Sequence, residues 1–182
     1  MSQYPAYRPR RMRRDDWSRR LFQENRLSPD DLIYPVFLLP GKNQTQTVAS
    51  MPGIERMSLD RLFSVAEECV ALGVPVMALF PVIDASLKTI DGAEAFNPNG
   101  LVPTAVTELK KRFPNLGIMT DVALDPYTSH GQDGILDENH RIINDETVAI
   151  LVKQALCHAH AGVDVDILTG TLGKALGGAI GG

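Results

Sequence analysis

Four short apolar runs, separated by segments of helical periodicity, constrain this chain more than any other feature. They occupy residues 32–39, 74–80, 116–123 and 163–168. Each run is continuous rather than alternating, which suits strands buried on both faces of a parallel sheet. Ser58 is a candidate N-cap for the first intervening helix, in which Leu59, Leu62, Phe63, Ala66 and Val70 recur at helical spacing until Gly73 stops it. Residues 102–113 form a second helix, ended by Pro114. A third starts at Asn144-Asp145-Glu146-Thr147 and carries Val148, Leu151, Val152, Ala155 and Leu156 to Ala161-Gly162. This alternation predicts successive βαβ units, hence an α/β fold with a parallel sheet. Loops after the C-terminal ends of such strands build active sites. Two are long, residues 81–101 and 124–141, and loops of that length in a compact domain are usually functional.

Composition excludes several classes. At 182 residues, with 44% apolar and 22% charged residues, the chain is neither disordered, collagen-like nor a coiled coil. No run approaches the ~18 apolar residues of a membrane span. The N-terminus is polar and arginine-rich, without the apolar core of a secretory signal. Cys69 and Cys157 are too few for a disulfide framework and read as reduced thiols of a cytoplasmic protein.

The net charge of −4 is unevenly divided. Residues 1–20 hold seven arginines against Asp15 and Asp16, a net of +5 that leaves −9 on the rest. Clustered arginines suit either nucleic-acid phosphates or an acidic neighbouring subunit. The body carries no nucleic-acid motif, and Asp15, Asp16 and Trp17 interrupt the basic run, which favours the subunit.

The chemistry concentrates after the third strand. Asp121, Asp125 and Asp133 lie with His130 within thirteen residues, in Thr120-Asp121-Val122-Ala123-Leu124-Asp125-Pro126-Tyr127-Thr128-Ser129-His130-Gly131-Gln132-Asp133-Gly134. Strand alternation points Asp121 inward or at the rim. Oxygen ligands at Asp125 and Asp133 suit a hard cation such as Mg²⁺. With no cysteine and one histidine in this stretch, zinc is not expected. Asp-Pro, His-Gly and Asp-Gly are also turn dipeptides, so a plain turn remains the competing reading.

From about residue 9 to 165 the chain resembles the porphobilinogen synthase family, also called 5-aminolevulinate dehydratase. The resemblance rests on Arg13-Arg14-Asp15-Asp16-Trp17, Tyr34-Pro35-Val36-Phe37, Ser50-Met51-Pro52-Gly53-Ile54-Glu55-Arg56, Ala78-Leu79-Phe80-Pro81-Val82 and, above all, residues 120–134. It implies a (β/α)₈ TIM barrel with an N-terminal arm that wraps a neighbouring subunit, commonly in an octamer. The implied reaction condenses two 5-aminolevulinate molecules to porphobilinogen, a step of haem biosynthesis, through lysine Schiff bases at both substrate sites. Three cysteines of zinc-dependent members correspond to Ala123, Asp125 and Asp133. The resemblance therefore implies the aspartate-rich branch, with Mg²⁺ or another hard cation expected. It also implies that Asp121, Asp125 and Asp133 line the second substrate's site, where a carboxylate could hold the substrate's amino group or a hydrated cation. The family's Schiff-base lysines and carboxylate-binding arginines belong to later strands. Lys42, Lys88, Lys110, Lys111 and Lys153 read as solvated charges.

The family pattern breaks after Val165. Six of the fifteen glycines fall in residues 166–182. Thr169-Gly170-Thr171-Leu172-Gly173-Lys174-Ala175-Leu176-Gly177-Gly178 resembles the pyridoxal-phosphate lysine segment of the α-oxoamine synthases. Seventeen residues cannot build that cofactor site, so Lys174 is expected to be inert and pyridoxal phosphate is not expected. The predicted organisation is an extended basic arm over 1–30, the first half of a (β/α)₈ barrel over 31–165, and a foreign-looking glycine-rich tail over 166–182. A full barrel takes ~250 residues. Half of one leaves open sheet edges and an unburied apolar face, so the chain alone is expected to be unstable and without dehydratase activity. The alternative function is a non-catalytic partner that joins full-length synthase subunits through the arm. Neither nucleic acid nor a membrane is an expected partner.

Overall fold

A computed structural model describes residue 3 and residues 5–167. Its elements run α1 (Asp16–Leu21), β1 (Ile33–Leu39), β2 (Thr45–Thr47), β3 (Glu55–Ser58), α2 (Leu59–Leu72), β4 (Val76–Pro81), α3 (Leu101–Arg112), β5 (Gly117–Asp121), α4 (Asn144–Ala161) and β6 (Val165–Ile167). The glycine-rich segment with Lys174 lies outside the described residues.

The four strands and three helices expected from periodicity are present in the expected order. β1, β4, β5 and β6 pair in parallel as successive neighbours, with Val36 opposite Leu79 and Ala78 opposite Met119. The six-stranded order is β2-β3-β1-β4-β5-β6, an open sheet. The β2–β3 hairpin was not expected. β3 pairs in parallel with the end of β1, Phe37 opposite Arg56, and β2 closes antiparallel on β3. One edge of the sheet is therefore the three polar residues of β2 rather than β1. Short polar edges resist pairing with other chains.

Alternation along the strands sorts two faces. Val36, Leu38, Met77, Leu79 and Ile118 pack against Leu62, Ala66 and Cys69 of α2 and Val102, Ala105, Val106 and Leu109 of α3. Phe37, Phe80 and Asp121 fall on the opposite face. α2 ends as expected: Gly73 adopts φ +76° and donates to the carbonyls of Cys69 and Val70. A side chain there would be strained. Ser58 occupies the N-cap position without capping. Its hydroxyl instead donates to Asp60 at 2.7 Å and accepts from the Gln44 N–H at 2.9 Å, tying the hairpin to the helix.

The arm is not extended throughout. Pro9–Arg13 forms a 3-10 turn and α1 follows. The Ser18 hydroxyl accepts from the Asp15 N–H and donates to the Asp15 carbonyl, which nucleates that short helix. Asp16 pairs with Arg19 at 3.5 Å and Arg20 at 4.0 Å, so part of the basic cluster is neutralised within the arm.

Candidate active site

Both long loops are ordered by a core of their own. Ile83 and Ala95 from the loop after β4 pack with Leu124, Tyr127 and Ile135 from the loop after β5, backed by Phe96, Ile150 and Leu151. The loops also bond to each other: the Thr89 N–H donates to the Tyr127 carbonyl at 3.2 Å and the Ser129 N–H to the Thr89 carbonyl at 3.0 Å. Gly134 is required for closeness, since a Cβ there would sit 2.7 Å from Ile142 Cγ2 and 2.8 Å from Thr147 Oγ1.

A cleft of about 360 Å³ opens at the C-terminal ends of β1, β4 and β5, lined by Phe37, Arg56, Phe80, Lys88, Asp121 and Asp125 among others. The Phe37 and Phe80 rings, paired across strands, lie 6.2 Å apart and form its apolar floor. Asp121 and Asp125 thus share one cleft. Asp133, not part of that lining, lies close enough along the loop for its charge to act on Asp125. Burial pushes the Asp125 carboxyl above the ordinary aspartate range, and the charges of Asp133 and Asp121 push it the same way. His130 shapes the loop: its Nδ1 accepts from the Gln132 N–H at 3.2 Å.

Sequence reasoning missed Gln154. It lies fully buried on α4, and its amide donates to the carbonyls of Ala123 at 3.2 Å and Asp121 at 3.5 Å. These carbonyls lie where β5 runs out, so Gln154 fixes the strand end that carries the cleft carboxylate. Its neighbour Tyr127 is buried beneath the loop, and its phenol is pushed up chiefly by that burial, then by the charges of Glu94 and Asp121. Lys88, read from the sequence as a solvated charge, also lines the cleft.

α4 is oriented otherwise than its apolar spacing predicts. Val148, Val152 and Leu156 are about half exposed, at 49%, 52% and 54%, while Thr147, Gln154 and His158 are buried. The polar stripe faces inward because it has partners there. Thr147 accepts from the Ile135 N–H at 3.0 Å, and His158 Nδ1 lies 3.0 Å from Thr120 Oγ1, which in turn bonds Asp166 of β6.

Among the described residues, no group of three or more His, Cys, Asp or Glu is arranged to hold a metal ion. Asp125 and Asp133 form a two-carboxylate set. That set fits Mg²⁺, which is held by one or two carboxylates and keeps several waters. It does not fit a closed zinc site, and the two cysteines lie apart from the cleft, on α2 and α4. Among the described residues, no helix is long and apolar enough to cross a membrane.

A family model for delta-aminolevulinic acid dehydratase matches residues 6–169. The chain is 52% identical over 160 residues to the delta-aminolevulinic acid dehydratase of Bradyrhizobium diazoefficiens, covering 88% of this chain and 45% of that protein. Against the Chlamydia pneumoniae protein of that name, identity is 40%, over 91% of this chain and 51% of the other. The crystal structure of Toxoplasma gondii delta-aminolevulinic acid dehydratase in complex with its product porphobilinogen superposes with a TM-score of 0.83 at 42% identity, covering 88% of this chain and 46% of that one. The chain therefore spans about half the length of these relatives.

Proposed function

Because the chain belongs to the delta-aminolevulinic acid dehydratase family, we propose that it carries part of a porphobilinogen synthase site, in which 5-aminolevulinate is bound for condensation to porphobilinogen. The observation that carries this reading is the cleft holding Asp121 and Asp125 where β1, β4 and β5 end. Asp121 supplies a fixed negative charge for the substrate's ammonium group. The carbonyls behind it are held by Gln154, so the strand end need not reorganise on binding. Phe37 and Phe80 exclude water from one side of the cleft.

Asp125 and Asp133 would hold Mg²⁺. Bound there, it supplies a hard positive charge that offsets the paired carboxylates and orders water beside the substrate. The charges of Asp133 and Asp121 that act on Asp125 support this, because a site that concentrates negative charge favours a cation.

The test is to purify the 182-residue chain and assay 5-aminolevulinate binding and porphobilinogen formation with and without Mg²⁺. The expected result is binding without turnover. Turnover well above background would overturn the assignment of the Schiff-base lysines to later strands, and absence of binding would overturn the assignment of the cleft.

A second reading concerns the arm. Trp17 is 67% exposed, and Leu21 and Leu27 are exposed beside it. Such side chains on a basic arm support docking on another subunit, either a second copy or a full-length synthase. The two unpaired cysteines support a reducing compartment such as the cytoplasm.

A further inference from the structure

We propose that α4 and β5 hold a buried water between Gln154 Oε1 and His158 Nε2. His158, kept in its Nδ1–H form by Thr120 and Asp166, fixes with that water the end of β5 that carries Asp121. The effect on substrate rests on the dehydratase reading; the water and the place of the ring proton do not.

Gln154 and His158 stand one turn apart on α4, so both side chains leave the same face of the helix. Both residues are fully buried. The Gln154 side chain meets two carbonyls, those of Ala123 at 3.2 Å and Asp121 at 3.5 Å. The NH₂ end is the part that can donate to them, so Oε1 is left over as an acceptor. His158 Nδ1 lies 3.0 Å from Thr120 Oγ1. Gln154 Oε1 and His158 Nε2 are both buried, and among the described residues neither has a hydrogen-bond partner.

Thr120 and Asp166 are register partners on β5 and β6. The Thr120 hydroxyl has one proton and donates it to the Asp166 carboxylate, which can accept but not donate. Thr120 Oγ1 is then an acceptor for His158, so the ring carries its proton on Nδ1. Asp166 Oδ1 also lies 3.6 Å from Nδ1, which favours a proton there. Burial lowers the His158 pKa, leaving the ring neutral at pH 7 with a bare lone pair on Nε2. Two buried acceptors, Nε2 and Oε1, cannot bond each other. A water brings two O–H donors and meets both, as buried waters do for other unpaired polar groups. The anchored atoms bracket Asp121: the Thr120 side chain before it, its own carbonyl, and the Ala123 carbonyl after it. The Asp121 side chain lines the cleft, so groups on the α4 side of the sheet set its direction.

The test records nitrogen–proton correlations of the histidine rings by NMR on the 182-residue chain, with His158→Gln to assign the signal. The expected result is a His158 ring protonated on Nδ1 and bare on Nε2, with magnetisation transfer from a long-lived water to its ring protons. An Nε2–H ring, or no such transfer, overturns the site, and neither result depends on a variant that folds. Asp166→Ala frees the Thr120 proton for Nδ1, so the ring should switch to Nε2–H. An unswitched ring overturns the role of Asp166. With circular dichroism unchanged, the same variant should bind 5-aminolevulinate about tenfold more weakly by calorimetry. A switched ring with unchanged affinity overturns the positioning role and leaves the water and the dehydratase reading in place. If the parent chain binds no 5-aminolevulinate, the dehydratase reading and the positioning role fall together, and the ring signal still decides the water.

Discussion

Lys110 Nζ of α3 lies 2.8 Å from Asp164 Oδ2, just ahead of β6, and also donates to the carbonyls of Leu116 at 3.2 Å and Pro114 at 3.3 Å. Asp164 Oδ2 in turn accepts from the Ile118 N–H at 2.8 Å. One lysine thus joins a helix, the start of β5 and the start of β6.

Lys110→Met should therefore destabilise the chain by about 1 kcal/mol, since it removes the ion pair of a half-exposed carboxylate and a donor to two carbonyls. The shift in urea midpoint at pH 7 measures it, with Lys111→Met as a control expected near zero. Burial raises the Asp164 carboxyl, but Lys110 and the Ile118 N–H outweigh it and hold it below the ordinary range. A depressed carboxylate stabilises above its unfolded pKa of about 3.9. That contribution is lost as pH falls through the folded value.

His158 carries a second pH dependence, of opposite residue type. Burial lowers its pKa, and Asp166 opposes this without reversing it. The unfolded chain then takes up the proton first, at about pH 6.5. Stability should fall as pH drops below that value, because the unfolded state binds more protons. The difference in urea midpoint between pH 7.5 and 5.5 should shrink in His158→Asn, which removes the titration. An unchanged difference would remove His158 as its source.

Gln154→Met keeps the volume of the side chain and deletes its amide. The carbonyls of Asp121 and Ala123 then lose a buried donor, at a cost of about 1–3 kcal/mol. Weaker 5-aminolevulinate binding should accompany the loss, because the strand end that carries Asp121 is no longer fixed. A stability loss with unchanged affinity would reduce Gln154 to a packing role.

Mg²⁺ binding should depend on both carboxylates of the proposed pair. Asp125→Asn and Asp133→Asn should each weaken it by more than the ~10-fold typical of losing an outer-shell partner. Calorimetric titration with Mg²⁺, and Mn²⁺ as a paramagnetic substitute, reads this directly. Equal affinity in both variants would remove the cation from this loop.

The order of strands and helices was legible because burial period is a local property. Continuous apolar runs marked β1, β4 and β5, and Gly73 and Gly162 marked helix ends, each at a left-handed φ. The β2–β3 hairpin was not legible. It has three and four residues, most of them polar, and its pairing with β1 spans nearly twenty residues of chain. The cleft was half legible: Asp121 and Asp125 followed from strand alternation and loop length, but Arg56 and Lys88 gave no local signal.

The sequence by itself determined a parallel α/β alternation, a charged arm and a carboxylate-rich loop after β5, because periodicity and turn chemistry act between near neighbours. Only the tertiary structure decided which face of α4 turns inward. Apolar spacing favoured Val148, Val152 and Leu156, yet Thr147, Gln154 and His158 are the buried residues. Unpaired backbone groups at the end of β5 and in the following loop need polar partners once water is excluded. That demand exists only after distant segments have met, and here it outweighs the burial of three exposed apolar side chains.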